Sequence, residues 1–215
     1  MKAFSGTQLS CNRNHRVIFA ELCFSLLPGE LLIIAGPNGS GKSTLLKTMA
    51  QIIAPSIGYL SWDERRIDIE PQQFYREMRF IGHKNAIKPS LTVRENLIFN
   101  ASLPEAKLNI DESLSKMGIF DLAELPAQHL SAGQTRRLAL ARLFVSPAKL
   151  WLLDEPVVSL DSKSTELFYS ALSSHRSEGG LAVSTTNSLS PIPHTKHINM
   201  LDYKMSDENL EDAWV

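Results

Sequence analysis

The sequence has only two cysteines and no long apolar run. Cys11 and Cys23 show neither a Cys-x-x-Cys pair nor the spacing of a metal site, and both lie in segments with strand character. We therefore predict two buried thiols, with a disulfide between them as the alternative. No stretch of about 18 consecutive apolar residues occurs, so we do not expect the chain to span a membrane by itself.

Net charge is also nearly absent. The sequence carries 22 lysines and arginines against 23 aspartates and glutamates, which leaves −1 at pH 7. This balance lacks the broad basic surface typical of nucleic-acid binding, so we expect no nucleic-acid partner. The 215 residues suffice for one α/β domain with a modest insertion, but not for two such domains in tandem.

Apolar runs and helical patterns follow one another along the chain, which predicts an α/β fold. Val17 to Leu27 alternates apolar and polar residues, as a half-buried strand does. We predict strands of a parallel sheet at Leu31–Ala35, Leu150–Leu153 and Leu181–Thr185. The first two are continuously apolar, as buried strands of such a sheet are. The strand-rich opening third and this order of elements predict a nucleotide-binding sheet interrupted by helices.

The helical part lies between the sheet-forming segments. Thr92 and Glu95 predict a capping box at the start of one helix, and helical patterns continue from Leu114 to Leu125 and again after Ser131. We therefore predict a single domain over residues 1–215, with a core at 1–84 and 147–203, a helical insertion at 85–146 and an acidic tail at 204–215.

A glycine-rich segment follows the apolar strand that ends at Ala35. Its glycines let backbone N–H groups turn inward around a polyphosphate, Lys42 can reach the β- and γ-phosphates, and Ser43 can ligate Mg²⁺ at a helix start. A surface loop with chance glycines is the alternative, which the strand before the segment and the helix after it disfavour. The residues predicted to hold the nucleotide are Gly36, Pro37, Asn38, Gly39, Ser40, Gly41, Lys42, Ser43 and Thr44.

Two adjacent carboxylates follow the apolar strand Leu150–Leu153. Asp154 and Glu155 lie at the carboxyl end of that strand, where α/β sheets place their ligands. Asp154 is predicted to face Mg²⁺, and Glu155 to polarise the water that attacks the γ-phosphate. Acids at a helix N-terminus are the alternative, which the phosphate-binding segment upstream disfavours.

A short motif precedes this strand by about twenty residues. Leu130–Gln134 reads Leu-Ser-Ala-Gly-Gln, and Arg136-Arg137 and an apolar helix follow it. At this point the chain resembles the ABC-type ATPases, whose usual motif is Leu-Ser-Gly-Gly-Gln, although the motif alone could be a plain helix cap. The resemblance implies a P-loop ATPase core with an N-terminal antiparallel β subdomain and a helical insertion.

The resemblance also implies a site shared by two copies. In ABC-type ATPases this motif from one subunit closes over ATP held by the phosphate loop of the other, here through Ser131, Gly133 and Gln134. A serine hydroxyl, an exposed glycine N–H and a helix N-terminus suit a γ-phosphate. Asp161 is implied to lie across the seam between the copies and to communicate between the two ATP sites.

Three positions depart from the family pattern. Arg13 stands where an aromatic residue commonly stacks on adenine; a guanidinium can stack on a purine, and simple exposure is the alternative. His83 replaces a glutamine that links the core to the insertion and touches Mg²⁺ or the attacking water. Asn187 replaces a histidine that contacts the γ-phosphate, and because Asn carries no charge we expect slow hydrolysis.

Several local strings narrow the resemblance, including Cys11-x-Arg13, Gly82-His83 and Trp151 within the strand before Asp154. With these strings and its compact length, the chain resembles the ATP-binding subunits of haem exporters in cytochrome c biogenesis. This resemblance implies a peripheral subunit at the cytoplasmic face of the inner membrane, paired as a homodimer or with another ABC subunit. It also implies partners among an integral membrane permease and other cytochrome c maturation proteins, for haem delivery or haem-chaperone release.

The predicted permease-docking surface is the groove from His83 through Asn96, with Lys88, Pro89 and Leu91 exposed. Two other functions stay open at the level of the sequence. One is the energising subunit of a different transporter or a soluble ABC assembly ATPase. The other is an ATP-gated dimerising module whose hydrolysis is vestigial, which Asn187 favours and the intact Glu155 opposes.

Overall fold

The computed structural model describes residues 3–13, 16–101, 108–186 and 195–204. Its strands are β1 (Phe4–Arg13), β2 (Arg16–Leu26), β3 (Leu31–Ala35), β4 (Ile57–Trp62), β5 (Arg65–Arg66), β6 (Met78–Ile81), β7 (Leu150–Asp154), β8 (Leu181–Thr186) and β9 (Thr195–Asn199). One sheet is antiparallel, with strand order β2-β1-β4-β5, and the other is parallel, with order β6-β7-β8-β3-β9. The predicted α/β class is therefore confirmed.

The helices connect the strands and cover the sheets. They are α1 (Lys42–Met49), α2 (Pro71–Glu77), α3 (Val93–Asn100), α4 (Ile110–Lys116), α5 (Ala132–Ala141) and α6 (Ser162–Ser177), with 3₁₀ turns at Phe120–Leu122, Ala127–His129 and Met200–Tyr203. Within the described ranges, none of these helices is both long and apolar enough to cross a membrane.

The central strands of the parallel sheet, β3, β7 and β8, are buried on both faces. All five residues of β7 are buried, and neighbouring side chains on it enter different cores. Leu152 belongs to the core beneath the antiparallel sheet, with Leu45 and Trp62. Leu153 belongs to the core formed with the helices after β6, with Leu97. The sheet is thus fixed from both sides, and its carboxyl edge is held rigidly.

The register brings the ends of three strands together at that edge. Asp154 at the end of β7 pairs with Thr185 of β8, and Ala35 at the end of β3 pairs with Thr186. The phosphate-binding segment begins directly after Ala35. The predicted carboxylates and the predicted nucleotide loop therefore emerge at the same edge.

The helical segment begins with the predicted capping box, but its second helix ends earlier than the sequence pattern predicts. The Thr92 hydroxyl accepts from the Glu95 backbone N–H at 3.1 Å and the Glu95 carboxylate accepts from the Thr92 N–H at 2.8 Å, which confirms the capping box. The helical pattern predicted from Leu114 to Leu125 is only partly helical in the structure. α4 stops short of Gly118, which has a φ of +61° and ends the helix, and a 3₁₀ turn follows.

The prediction of two buried thiols is half wrong. Cys11 is buried and Cys23 is exposed, and both are free. β2 is an edge strand of the antiparallel sheet, and its buried Leu22 faces the core. Because side chains alternate along a strand, the next residue, Cys23, points to solvent. Of the acidic tail predicted at 204–215, only Lys204 lies in the described part of the chain, and the predicted domain boundaries stay a prediction.

Candidate active site

The loop from Gly36 to Ser43 curls tightly because its glycines adopt conformations that other residues avoid. Gly36 and Gly41 have φ values of +147° and +102°. A Cβ at Gly36 would lie 2.6 Å from the Ser40 hydroxyl, and a Cβ at Gly41 would lie 2.7 Å from Ile18 of β2. The antiparallel sheet therefore packs directly on the loop, and any side chain at Gly41 would push the two apart.

Lys42 opens α1 and closes the loop around its own ammonium group. Its Nζ donates to the carbonyl oxygens of Gly36 at 2.7 Å and Pro37 at 3.1 Å, and the residue is 6% exposed. The positive charge thus sits within the loop, next to the N-terminal N–H groups of an eight-residue helix. This combination attracts phosphate oxygens.

A buried hydroxyl and carboxylate lie next to the loop. The Ser43 hydroxyl donates to Asp154 Oδ1 at 3.0 Å, and the Thr185 hydroxyl donates to the same oxygen at 2.8 Å. Asp154 is 1% exposed, and its second oxygen, Oδ2, is buried without a hydrogen-bond partner. An unpartnered buried carboxylate oxygen is costly unless a cation or water satisfies it. Hard oxygen donors of this kind suit Mg²⁺.

Glu155 is aimed differently from Asp154 because the chain turns sharply after β7. Its φ is +47°, and its backbone N–H donates to the Thr185 hydroxyl at 2.9 Å. Thr185 therefore holds both carboxylate residues, one through the side chain and one through the backbone. The Glu155 carboxylate is 19% exposed and lies 3.8 Å from Nδ1 of His83, whose side chain is 68% exposed. The structure thus brings together the two residues that the sequence placed 72 positions apart.

Arg136 fixes the backbone of this turn, a role that no pattern in the sequence predicted. Its guanidinium is 4% exposed and donates to the carbonyl oxygens of Asp154, Glu155 and Pro156 at 2.9 to 3.0 Å. It also reaches the segment around His83, through the Gly82 carbonyl and the Asn85 side chain, at 3.0 Å each. Burial lowers its pKa, which the charges of Asp154 and Glu155 oppose.

The predicted motif residues cap helices within this chain. Ser131 is the N-cap of α5: its hydroxyl accepts from the Gln134 N–H at 3.2 Å, and the Gln134 side chain accepts from the Ser131 N–H at 2.8 Å. Asp161 is the N-cap of α6 and accepts from the Ser164 N–H at 2.7 Å, which lowers the pKa of its carboxyl. Among the described residues, no hydrogen bond joins this motif to the phosphate loop.

Gly133 shows why this position of the motif lacks a side chain. A Cβ there would lie 3.1 Å from the Ser159 carbonyl, so the start of α5 packs against the segment before Asp161. Arg13 is exposed at the end of β1, as the simpler of its two interpretations expects. Asn187 follows the last residue of β8 and lies outside the described residues.

The sequence and fold match known proteins over most of their length. Residues 19–158 match the ABC transporter family. The chain is 40% identical over 210 residues to the cytochrome c biogenesis ATP-binding export protein CcmA of Paramagnetospirillum magneticum, covering 95% of this chain and 97% of that protein. It is 43% identical over 185 residues to the protein of the same name from Rhodospirillum rubrum, covering 86% and 79%.

Solved structures confirm the predicted P-loop ATPase fold. An ABC transporter ATP-binding protein from Pyrococcus furiosus superposes with a TM-score of 0.82 at 23% identity, over 94% of this chain and 100% of that one. An ATP-binding cassette solved as a dimer in a post-hydrolysis state, bound to ADP and Pi, superposes with a TM-score of 0.75 at 25% identity, over 86% and 88%.

Proposed function

The chain belongs to the ABC transporter family and, within it, to the cytochrome c biogenesis ATP-binding export proteins, and we propose that it energises a membrane permease for haem. It is an ABC-type ATPase. The haem step is delivery of haem or its release from a chaperone. The proposal rests on the residues gathered at the sheet edge next to the phosphate loop, which are Ser43, Asp154 and Glu155.

The residues at this edge fit ATP with Mg²⁺. The loop Gly36–Thr44 offers backbone N–H groups and the Lys42 ammonium to the phosphates. Ser43 and Asp154 would hold Mg²⁺, whose need for oxygen donors matches the unpartnered Oδ2 of Asp154. When bound, Mg²⁺ neutralises charge that develops on the transferred phosphoryl group.

Glu155 is the residue that we assign to the attacking water. Its carboxylate is partly exposed beside the loop, so a water can reach it, and Arg136 and Thr185 fix the backbone that carries it. A positioned carboxylate accepts the proton of such a water as the new bond to the γ-phosphorus forms and the bond from that phosphorus to the leaving ADP breaks. His83, 3.8 Å away, can orient the same water or donate to the carboxylate.

A second copy supplies the rest of the site. Ser131 and Gly133 lie at the N-terminus of the ten-residue helix α5, and helix N-termini attract phosphate. Because the described residues show no bond between this end and their own phosphate loop, we infer that it faces the loop of a partner copy. The pairing of the ATP-binding cassette in its post-hydrolysis structure supports this inference.

The permease-docking surface is proposed around residues 83–96, at the cytoplasmic face of the inner membrane. Lys88 and Pro89 are exposed, Leu91 is partly exposed, and Asn96 is buried beneath them. The Asn96 side chain accepts from the Lys88 N–H at 2.8 Å and donates to the Lys88, Leu91 and Thr92 carbonyls. This surface is therefore held rigid. Arg94 is a poor probe of it, because it pairs with Asp111 and Glu124 and stabilises the helical segment itself.

A pull-down from membranes of the source organism tests the proposal. The tagged full-length chain, with ATP and Mg²⁺, is expected to retain an integral membrane subunit and further cytochrome c maturation proteins. Lys88→Glu is expected to weaken that retention, whereas Arg65→Glu, a change at an exposed residue of β5, is the matched control. Retention of soluble partners alone, or of the permease of an unrelated transporter, would contradict the proposal.

A further inference from the structure

Two arginines lie opposite each other at one end of the antiparallel sheet. Arg13 is the last residue of β1 and Arg16 is the first residue of β2, and the strand register pairs them directly. Side chains that are paired across antiparallel strands lie on the same face of the sheet, with Cβ atoms about 4.5–5.5 Å apart. Both arginines are exposed. We name these two residues the Arg13–Arg16 pair.

The described part of the chain offers this pair no counter-charge. Within the described ranges, no ion pair includes either guanidinium. Glu21 is the first acidic residue of the whole sequence. Like charges that lie directly opposite each other destabilise a sheet. The pair therefore costs the free chain stability, and an anion bound by both guanidiniums would offset that cost.

The strand that carries Arg16 packs on the phosphate loop. Ile18 is the extra residue of a β-bulge, at the point where the register of β2 with β1 shifts by one residue, and bulges re-aim side chains. A Cβ at Gly41 would lie 2.7 Å from Ile18 Cγ2 and 3.7 Å from the Ile18 carbonyl oxygen. Arg16 precedes Ile18 by two residues, about 7 Å along the strand. An extended arginine side chain has a similar length, so the pair is within reach of a nucleotide in the loop.

We propose that the Arg13–Arg16 pair binds the α-phosphate of the nucleotide held in the phosphate loop. This inference rests on the proposed function and adds the residues that hold the far end of the triphosphate. Ser43 contacts Asp154 of the parallel sheet, which places the γ-phosphate on the side of Glu155. β2 approaches the same loop from the antiparallel sheet, at Gly41. The phosphate farthest from Glu155 is the α-phosphate, and it therefore points toward β2.

The arrangement favours a charge contact over stacking on the base. A guanidinium carries its N–H donors in a planar fork that matches two phosphate oxygens. A phosphate bound between the two side chains also neutralises the repulsion within the pair. Stacking of Arg13 on adenine would occupy one guanidinium and leave that repulsion in place. Because every nucleotide carries the same α-phosphate, we expect the contribution of the pair to be equal for adenine and guanine nucleotides.

Calorimetric titration of the full-length chain with ADP and with GDP, each with Mg²⁺, tests the proposal. Arg16→Gln is expected to weaken the binding of both by about tenfold, because a hydrogen bond to a charged group is lost. Arg16→Lys keeps the charge and is expected to bind both within about threefold of the wild type. The matched control is Arg65→Gln, since Arg65 is an exposed arginine of β5, at the other edge of the same sheet.

The stability of the nucleotide-free chain separates ligand binding from a structural role. Because Arg16→Gln removes the repulsion within the pair, this variant is expected to melt at the wild-type temperature or slightly above it. The rise in melting temperature that ADP causes is expected to be smaller than in the wild type. A variant that melts below the wild type without nucleotide would show that Arg16 supports the sheet, and this result would overturn the inference.

Other results would also overturn it. One is a set of glutamine variants, Arg13→Gln and Arg16→Gln, that bind both nucleotides as the wild type does. Another is a loss for ADP without a loss for GDP, which would show that the pair contacts the base. A third is an Arg16→Lys variant as weak as Arg16→Gln, which would indicate stacking. If the wild type itself binds neither nucleotide, the proposed function fails, and this inference fails with it.

Discussion

Thr185 ties the two carboxylate residues of the site together. Its hydroxyl donates to Asp154 and accepts from the Glu155 backbone N–H, so one side chain sets the position of both. It is fully buried, at 0% exposure. The hydroxyl therefore acts as a positioning group, since it contacts the Asp154 carboxylate and the Glu155 backbone.

Thr185→Val is expected to slow ATP turnover and to lower the free energy of unfolding by about 1–3 kcal/mol, because it leaves a buried N–H and a buried carboxylate oxygen short of a partner. Thr185→Ser keeps the hydroxyl and is the matched control. Turnover and urea unfolding are measured for both. A valine variant with the turnover and stability of the wild type would show that Thr185 does not position the site.

At the scale of elements, α6 is fixed to the parallel sheet by a stacked ring pair. His175 of α6 lies parallel to Trp151 of β7, with ring centroids 3.9 Å apart and an interplanar angle of 5°. His175 Nε2 is 3.2 Å from the Leu181 carbonyl. A Cβ at Gly180 would lie 2.3 Å from the ring, so the turn into β8 has no space for a side chain.

This contact predicts a loss of stability in acid. Burial is the main cause that lowers the pKa of His175, so the folded state takes up its proton only at a pH below that of the unfolded chain. As the pH falls below about 6.5, the ordinary histidine pKa, the unfolded chain is protonated first and unfolding becomes more favourable. Stability is expected to be full at pH 8 and to decline in the acid range below pH 6.5.

His175→Phe keeps a ring against Trp151 and is expected to weaken this dependence on pH. His197→Gln, a change at an exposed histidine of β9, is expected to leave it unaltered. The melting temperature is measured from pH 8 to pH 5 for the three proteins. If the phenylalanine variant loses as much stability in acid as the wild type, another group is responsible.

The sequence predicted elements well where a local pattern determines them. The runs Leu31–Ala35 and Leu150–Leu153 are continuously apolar, and the box at Thr92 and Glu95 is a contact within one helical turn. Local pattern failed at Gly118, where one glycine in a left-handed conformation ends a helix whose apolar spacing continues beyond it.

What the sequence could not predict depends on residues that are distant along the chain. Arg136 contacts Gly82, 54 positions away, and Arg79 contacts Ser146, 67 positions away. Arginine side chains are usually exposed, so the sequence did not predict that Arg79 and Arg142 would line a cavity. The predicted burial of Cys23 was wrong because the exposure of this residue depends on which face of the edge strand meets the core.

Across the whole molecule, contacts link the antiparallel sheet, the phosphate loop, the parallel sheet and the helical segment to one another. The antiparallel sheet packs on the phosphate loop through Ile18, the parallel sheet carries Asp154 and Glu155, and Arg136 joins that turn to the helical segment. A movement of the helical segment would therefore reach Asp154 and Glu155. Together with the packing of Leu153 against Leu97, Arg136 therefore connects the parallel sheet to the helical segment.

We propose that this chain hydrolyses ATP through Glu155 rather than only binding it. The measurement is steady-state phosphate release by the purified complex, for the wild type, for Glu155→Gln and for Glu64→Gln, an exposed control in the turn after β4. We expect Glu155→Gln to be slower by about 10²-fold or more, with ATP binding retained, and the control to match the wild type. Equal rates for Glu155→Gln and the wild type would contradict the role assigned to Glu155 and favour an ATP-gated dimerising module.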